Sequence, residues 1–544
     1  MTWDLVVRGG RVVDGTGLPP FTADVAVRDG RIARVGRVEG PARRTLDAAG
    51  AVVTPGFIDV HTHYDAQLDW DPVASPASWH GVTTVLCGNC GFTLAPARPE
   101  DTGWLAQMLS RVEGMAGPAL AAGLRWAGGS FGDFWRRVEG RLGVNAGGYV
   151  GHSAVRRWVM GEAASARRAT ATEVAAMQDL VRAALHEGAL GFSTSQLDIH
   201  VAHDGRGVPS NHAAPDEVVA LAAVLAEFGH GAIEIIPRSF VEGMNAADRA
   251  LLLACYRAAG RPLEIQTLTP LLPACPDGWE ASLAFAHEAW RAGARIHPML
   301  ATNRLGAHLT LGSTFLFDEL PTFRETLTMP PAERARRLRE PAVRERMRHE
   351  LADPTGRAFV FVWDVVCVEA VRDPAHRAWV GRTVPELAAA RGQDPLDCFL
   401  DLSLAEDLET QFGLEMPPSD YFRECTARLR RAPPLLHRRR LPDAAAQRVG
   451  ARRADARGGG PQADRRAGGG ARPCRPRRRA RGRVGRPGGR RPRAAPRRGA
   501  APRARLPRRE RAVRGGRGRL RRGGRQRRGA ARERSVDRSA ARAG

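Results

Sequence analysis

Between residue 55 and about residue 430, short β-branched runs alternate with longer stretches whose apolar positions recur at helical spacing. The runs at 81–87, 188–193, 231–237, 262–268 and 294–300 are predicted to be strands. The stretches at 171–187, 215–227, 247–259 and 279–292 are predicted to be helices. The first of these helices opens on Thr170-Ala171-Thr172-Glu173, a capping box with Thr170 as the N-cap. Strands and helices alternating at this spacing imply βα units and a parallel sheet. Their number and length fit a TIM-type (β/α)8 barrel better than an open sheet. Residues 1–54 carry a different pattern, with strand-length runs at 4–8, 10–14, 23–27 and 31–35. Gly9-Gly10, Gly15-Thr16-Gly17 and Asp29-Gly30 separate these runs. They are predicted to form part of a small β-sandwich whose open edges need partner strands from elsewhere.

Beyond about Pro434 the periodicity collapses. Residues 438–544 hold no Phe, Trp, Tyr, Ile, Met, Lys, Asn or Thr, and Arg, Gly, Ala and Pro fill nearly everything. Such a segment cannot bury enough apolar surface to offset its ordering entropy, so it is expected to be disordered on its own. The chain therefore divides into a β-sandwich portion at 1–54, a barrel at 55–430 and an Arg-rich tail at 431–544.

That division changes the meaning of the charge. The 544 residues carry +25 overall, but residues 431–544 hold 40 arginines against 6 acidic residues, or +34, which leaves the body at −9. A basic average usually points to nucleic acid, and the tail could neutralise phosphates. It has no aromatic side chain to stack on bases and no recognisable binding motif, so such binding would be non-specific. Eight scattered cysteines do not make a disulfide framework. The start Met1-Thr2-Trp3-Asp4-Leu5 lacks the basic and apolar regions of a signal peptide, and no apolar run is long enough to span a bilayer. A cytoplasmic location is expected.

The candidate chemistry sits where the first barrel strand ends. In Pro55-Gly56-Phe57-Ile58-Asp59-Val60-His61-Thr62-His63, alternation along a strand puts His61 and His63 on one side. Two imidazoles at the C-terminal mouth of a parallel barrel make half a metal site, suited to zinc or a similar divalent ion. Cys90, in Leu86-Cys87-Gly88-Asn89-Cys90-Gly91 just after the second strand, is the third candidate ligand. Cys87 and Cys90 also form a C-x-x-C, the pattern of a redox pair or half a structural zinc site. No second such motif accompanies it, and it follows a strand rather than opening a thioredoxin-like unit.

The segments 55–65, Gly81-Val82-Thr83-Thr84 and Gly88-Asn89-Cys90-Gly91 closely resemble the amidohydrolase superfamily. Tyr149-Val150-Gly151-His152-Ser153, 188–194 and Pro395-Leu396-Asp397 extend the likeness to its N-acyl-D-amino-acid deacylase (D-aminoacylase) branch, over about 1–430. The resemblance implies a metal-dependent β/α barrel flanked by a β-sandwich built from both chain ends. It also implies His61, His63 and Cys90 as ligands of one or two zinc ions. The reaction implied is hydrolysis of a small-molecule amide, releasing a D-amino acid and a carboxylate, with a cyclic amide as the alternative substrate. Many other amidohydrolases bridge two metals with a carboxylated lysine. This chain has no lysine, whereas the deacylase branch uses cysteine there.

The chain departs from that branch in three places. Ile236 and Thr267 stand where the resemblance implies histidines after the fifth and sixth strands. Glu234, two residues before Ile236 and on the same strand face, is the candidate additional ligand. His200, His203 and His212 lie in a loop from which they could also reach inward. The Ser-Asp-Ala-Gly-like motif with the catalytic aspartate, expected soon after Pro434, is missing. Arg, Ala, Gly and Pro are the residues that a GC-rich gene yields in a wrong frame. The tail is therefore expected to be a frameshift product, the barrel to be incomplete at its C-terminal end, and the chain to be catalytically dead or nearly so.

Overall fold

The N-terminal run folds as a five-stranded sheet in the order β3-β2-β1-β4, with β5 also on β1. Its strands are β1 (Trp3–Val12), β2 (Phe21–Arg28), β3 (Arg31–Gly36), β4 (Ala42–Asp47) and β5 (Val52–Val53). The computed structural model describes residues 2–239, 242–266, 268, 277–299, 306–353, 357 and 361–415. Thr267 and the tail at 431–544 lie outside these described residues.

The strand break predicted at Gly9-Gly10 is instead a bulge inside one long strand. The β1–β2 register shifts between Val7 and Gly10, and Gly9 adopts φ +64°. Asp24 of β2 secures the kink by accepting the N–H groups of Gly9 at 2.8 Å and Val38 at 3.2 Å, and its carboxylate pairs with Arg8 at 3.0 Å. With its backbone donors satisfied, a glycine pair bends the strand without ending it. Strand β4 was not foreseen, because Ala42-Arg43-Arg44-Thr45-Leu46-Asp47 has no clean alternation, yet it pairs parallel to β1. Ile32, Val35 and Leu46 stay exposed on this sheet.

After this sheet come β6 (Phe57–Asp59), β7 (Val82–Cys87), β8 (Asn145–Gly148), β9 (Val150–Gly151), β10 (Gly191–Ser195), β11 (Ala232–Ile236), β12 (Leu263–Ile265) and β13 (Ile296–Pro298). They pair as β6-β7-β8 and as β9-β10-β11-β12-β13, parallel throughout. Only Tyr149 separates β8 from β9, so a single run of chain joins the two sets, and spatial order follows sequence order. The connections carry helices α1 (Thr102–Val112), α2 (Gly117–Gly123), α3 (Phe131–Arg136), α4 (His152–Met160), α5 (Ala171–His186), α6 (Pro215–Ala223), α7 (Ala246–Ala259) and α8 (Gly278–Arg291). The capping box at α5 forms as predicted: Glu173 N–H donates to Thr170 Oγ1 at 3.3 Å and Thr170 N–H donates to the Glu173 carboxylate at 2.8 Å.

Alternation along the strands then sorts the side chains. Val150, Phe192, Ile233, Ile235, Leu263, Ile265 and Ile296 face the helices and form one buried cluster with them. Ser193, Glu234 and Ile236 point to the other face, where the site lies. A fully buried charged group sits on the helix side. Arg156 of α4 pairs with Glu217 of α6, and Glu217 also meets His152 Nε2 at 2.9 Å, while His152 Nδ1 contacts Thr194 Oγ1 of β10 at 2.8 Å.

Among the described residues β6 pairs only with β7, and Phe57 and Ile58 are 57% and 62% exposed. That is the flank on which a further strand would close the array. Residues 306–415 do not continue the parallel pattern expected through 430. They build an antiparallel sheet, β14 (Gly306–Leu309), β16 (Gln411–Glu415) and β15 (Val366–Ala370) in that order, over their own core of Phe317, Phe323, Phe399 and Phe412. No described helix is long and apolar enough to cross a membrane.

Candidate metal centre

Strand β6 stops at Asp59, so His61 and His63 lie just past the strand predicted to carry them. They nevertheless share a side, because Thr62 between them is tied to the end of β7. Its N–H donates to Leu86 O at 3.0 Å and its hydroxyl donates to the same oxygen at 2.7 Å. With Thr62 turned toward β7, both imidazoles turn the other way, their ring centroids 5.3 Å apart.

Cys90 comes from a tight turn after β7. Gly88 and Gly91 both adopt φ +74°, and Cys90 between them sits at φ +59°, a left-handed conformation that costs a non-glycine residue about 1 kcal/mol or more. The surroundings enforce it. Asn89 Nδ2 donates to Leu86 O at 2.9 Å and Thr62 O at 3.2 Å, Gly91 N–H donates to Ser193 Oγ at 3.1 Å, and Cys90 N–H donates to Glu234 Oε2 at 2.6 Å. Three neighbouring strand ends thus hold the thiol in place. Its Sγ lies 3.2 Å from His61 Nε2 and 3.7 Å from His63 Nε2. The three donor atoms lie within 4.8 Å of one another.

Acidic groups crowd this cluster. Glu113, the residue after α1, brings Oε1 to 3.3 Å from His63 Nε2. Asp65 is buried and accepts Gly88 N–H at 3.3 Å. Glu234 is fully buried, but it does not stand among the donor atoms: its Oε1 lies 3.9 Å from His61 Nδ1, on the far side of the ring from Cys90, and has no hydrogen-bond partner. Burial pushes the Cys90 thiol well up, helped by Glu234, Glu113 and Asp65. Burial likewise raises Glu113 well above its usual range, Glu234 to about 8 and Asp65 to about 7. The same burial drives His61 down to about 4 and His63 well below its ordinary value. Neutral imidazole nitrogens beside a buried thiol and buried carboxyls are groups that a divalent ion would stabilise. The Nδ1 atoms of both histidines are buried without partners, leaving the Nε2 atoms as the converging pair. The residues present therefore fit a zinc-type ion.

The other candidates separate from this group. Ile236 packs in the apolar cluster around Cys90 and Phe92, so an apolar wall stands where a histidine was implied. Thr267 lies outside the described residues. His200 is buried, with Nδ1 2.8 Å from Ser195 Oγ and its ring against Phe92. His203 packs on Trp104 and His212 is half-buried, and neither joins the donors. Cys87 is buried and turned to Thr62 Oγ1 at 3.6 Å, and both it and Cys90 are free thiols. Sequence reasoning missed Glu113 and Asp65. Asp65, two residues past His63, had a spacing signal, whereas nothing in a helix end fifty residues away marks Glu113. Beyond Glu113 opens a cavity of about 710 Å³, lined by Gln107, Ser110, Met115, His203 and Arg334 among others and not by the three converging residues.

The profile of the amidohydrolase family matches residues 44–356. An uncharacterised protein of Mycobacterium tuberculosis is 31% identical over 438 residues, which span 74% of this chain and 67% of that one. A D-aminoacylase of Alcaligenes xylosoxydans xylosoxydans is 40% identical over 199 residues, 35% of this chain and 37% of that enzyme. Among solved structures, the N-acyl-D-glutamate deacylase of Bordetella bronchiseptica, complexed with zinc and a phosphonate inhibitor that mimics the tetrahedral intermediate, superposes with a TM-score of 0.54. That match has 26% identity and covers 78% of this chain and 74% of that one.

Proposed function

The chain belongs to the amidohydrolase family, and from that premise we propose that it is a metal-dependent hydrolase of amide C–N bonds of the N-acyl-D-amino-acid deacylase type. In this reading His61, His63 and Cys90 are ligands to zinc. The observation that carries it is the convergence of two imidazole nitrogens and a thiol from adjacent strand ends. The similarity to the zinc-bound N-acyl-D-glutamate deacylase supports it. The eight parallel strands β6–β13, in sequence order from Phe57 to Pro298, support a β/α barrel within the segment 55–430, flanked by a sandwich portion at 1–54 and followed by the tail at 431–544. The substrate is a small-molecule amide, met in the cytoplasm.

A zinc ion held there supplies Lewis acidity, the chemistry that opens an amide carbonyl to water. The chain's own residues prepare the place. Burial keeps both imidazoles neutral, so their Nε2 lone pairs are free to ligate. Glu234, through the Cys90 N–H, fixes the strained turn that aims the thiol. Glu234 Oε1 stands 3.9 Å from His61 Nδ1, beyond hydrogen-bond distance, so its hold on the site is through the Cys90 turn.

The segment after Pro434, where the catalytic aspartate is expected, lies outside the described residues, and its sequence holds no Ser-Asp-Ala-Gly motif. Loss of a general base costs a factor of about a hundred to ten thousand. The test is a panel of N-acyl-D-amino acids, N-acyl-L-amino acids and hydantoins, offered to two zinc-loaded proteins. One is this chain, and the other is a chain read in the alternative frame after codon 430. The frame-corrected chain is expected to hydrolyse N-acyl-D-amino acids preferentially, and this chain at least about a hundredfold more slowly. A frame-corrected, zinc-loaded chain with no turnover on any N-acyl-D-amino acid overturns the reading.

A further inference from the structure

We propose that Glu113 is a fourth ligand of the metal, an oxygen donor that compensates for the missing histidines. This inference rests on the metal-site reading above and goes beyond it. It begins with distances. A tetrahedral zinc ion with bonds of 2.0–2.1 Å to nitrogen or oxygen and 2.3 Å to sulfur separates its donor atoms by about 3.3–3.6 Å. The contacts of Cys90 Sγ with the two Nε2 atoms are 3.2 and 3.7 Å, and that of His63 Nε2 with Glu113 Oε1 is 3.3 Å. These three contacts are close to the edges of such a tetrahedron; Glu113 reaches the cluster through His63 and is not one of the three converging donor atoms, so its carboxylate would have to move inward to complete the set.

As an ion pair, the Glu113 contact makes little sense. Charge-assisted N–H···O⁻ bonds run about 2.7–2.9 Å, shorter than this one. Among the described residues no arginine pairs with Glu113, and the chain contains no lysine. Its position is nonetheless well defined. The Glu113 N–H closes α1 by donating to Leu109 O at 3.1 Å, and Gly114 at φ +63° then turns the chain away. A mostly buried carboxylate has been brought to the one ring nitrogen where a ligand belongs.

Charge balance points the same way. Two neutral imidazoles and one thiolate leave a dication with one uncompensated positive charge in a buried site, and a carboxylate neutralises it. Glu234 is poorly placed to do so, because one of its oxygens holds the Cys90 N–H and the other lies behind His61. His200 meets Ser195 Oγ through Nδ1 and is not among the converging donor atoms.

The experiment compares metal-free full-length protein with Glu113→Gln, Glu113→Asp and Glu234→Gln. Each is titrated with Co²⁺ while the thiolate charge-transfer band and the d–d bands are recorded, and zinc affinity is then measured by chelator competition. Wild type is expected to bind with both signatures. Loss of a partner that only supports a ligand typically costs about 10–100-fold in affinity, and Glu234→Gln should fall within that range. Glu113→Gln should exceed it, keeping the thiolate band but changing the d–d envelope, and Glu113→Asp should fall between Glu113→Gln and wild type. Wild type that binds no metal overturns this proposal and the metal-site reading together. Wild type that binds while Glu113→Gln matches it in affinity and d–d spectrum overturns the Glu113 assignment alone. Glu113→Gln is isosteric, and equal urea midpoints of the metal-free proteins identify lost binding as a ligand effect. If Glu113→Gln does not fold, Glu113→Asp decides: an unchanged affinity and d–d envelope overturns the assignment.

Discussion

Replacing Gly88 with alanine should damage the fold and the site together, by an amount the structure lets one apportion. Gly88 adopts φ +74°, so any side chain there meets the left-handed penalty of about 1–2 kcal/mol. A Cβ would also lie 2.4 Å from Tyr149 O and 2.9 Å from Thr93 Cγ2. The first of these is backbone at the β8–β9 junction and cannot rotate aside. Forcing atoms into such a packed site adds about 1–3 kcal/mol, for a total of about 2–5 kcal/mol. Gly30 supplies the control: at φ +72° it carries the same conformational penalty, but a Cβ there meets nothing within 4 Å. Urea unfolding followed by tryptophan fluorescence should therefore show Gly88→Ala as clearly less stable than Gly30→Ala, which should lose only about 1–2 kcal/mol. Zinc retained after dialysis should fall in Gly88→Ala, because the turn that aims Cys90 must move, and stay unchanged in Gly30→Ala. Equal destabilisation of the two, or full zinc retention by Gly88→Ala, would refute the claim that close packing against Tyr149 sets the cysteine turn.

Further expectations follow from other parts of the molecule. Glu217→Leu strands the fully buried Arg156 without its carboxylate and should cost about 3–5 kcal/mol in urea unfolding, most of it recovered by adding Arg156→Met. Glu173 is held at about 2 by its hydrogen bonds from Arg167 and the Thr170 N–H, below its ordinary 4.5. Its contribution to stability is present above pH 4.5 and is lost as pH falls toward 2, so Glu173→Gln should flatten the stability profile in that window. Metal content should survive Cys87→Ser and collapse in Cys90→Ser, because only Cys90 stands with the two imidazoles. Equal losses would revive the C-x-x-C site.

Much of the repeating architecture was legible because amphipathic helices and β-branched strands announce themselves locally. The helix capped by Thr170 and the strands around Phe192, Ile233 and Leu263 all fall close to their predicted places. Where the sequence misled, long-range pairing overruled local signals. Gly9-Gly10 bends β1 without ending it because Asp24 satisfies the bulge from a neighbouring strand. Strand β4, charged along its length, forms because β1 offers it an edge. The convergence of His61, His63 and Cys90 could be anticipated, since strand ends on adjacent βα units open to one mouth. Glu113 could not be, because a residue just past the end of a helix carries no local mark of the imidazole it will reach. Glu234 was noticed for its strand face, but only the hydrogen bond to the Cys90 N–H shows that it grips the turn.

The claim on which the rest depends is that one thiolate and two imidazoles hold a zinc ion. X-ray absorption at the zinc edge of the metal-loaded protein measures this directly. The account predicts one sulfur per zinc at about 2.3 Å, with the remaining donors nitrogen or oxygen at about 2.0–2.1 Å. The sulfur shell should vanish in Cys90→Ser and persist in Cys87→Ser. Two sulfurs per zinc, or none, would contradict it.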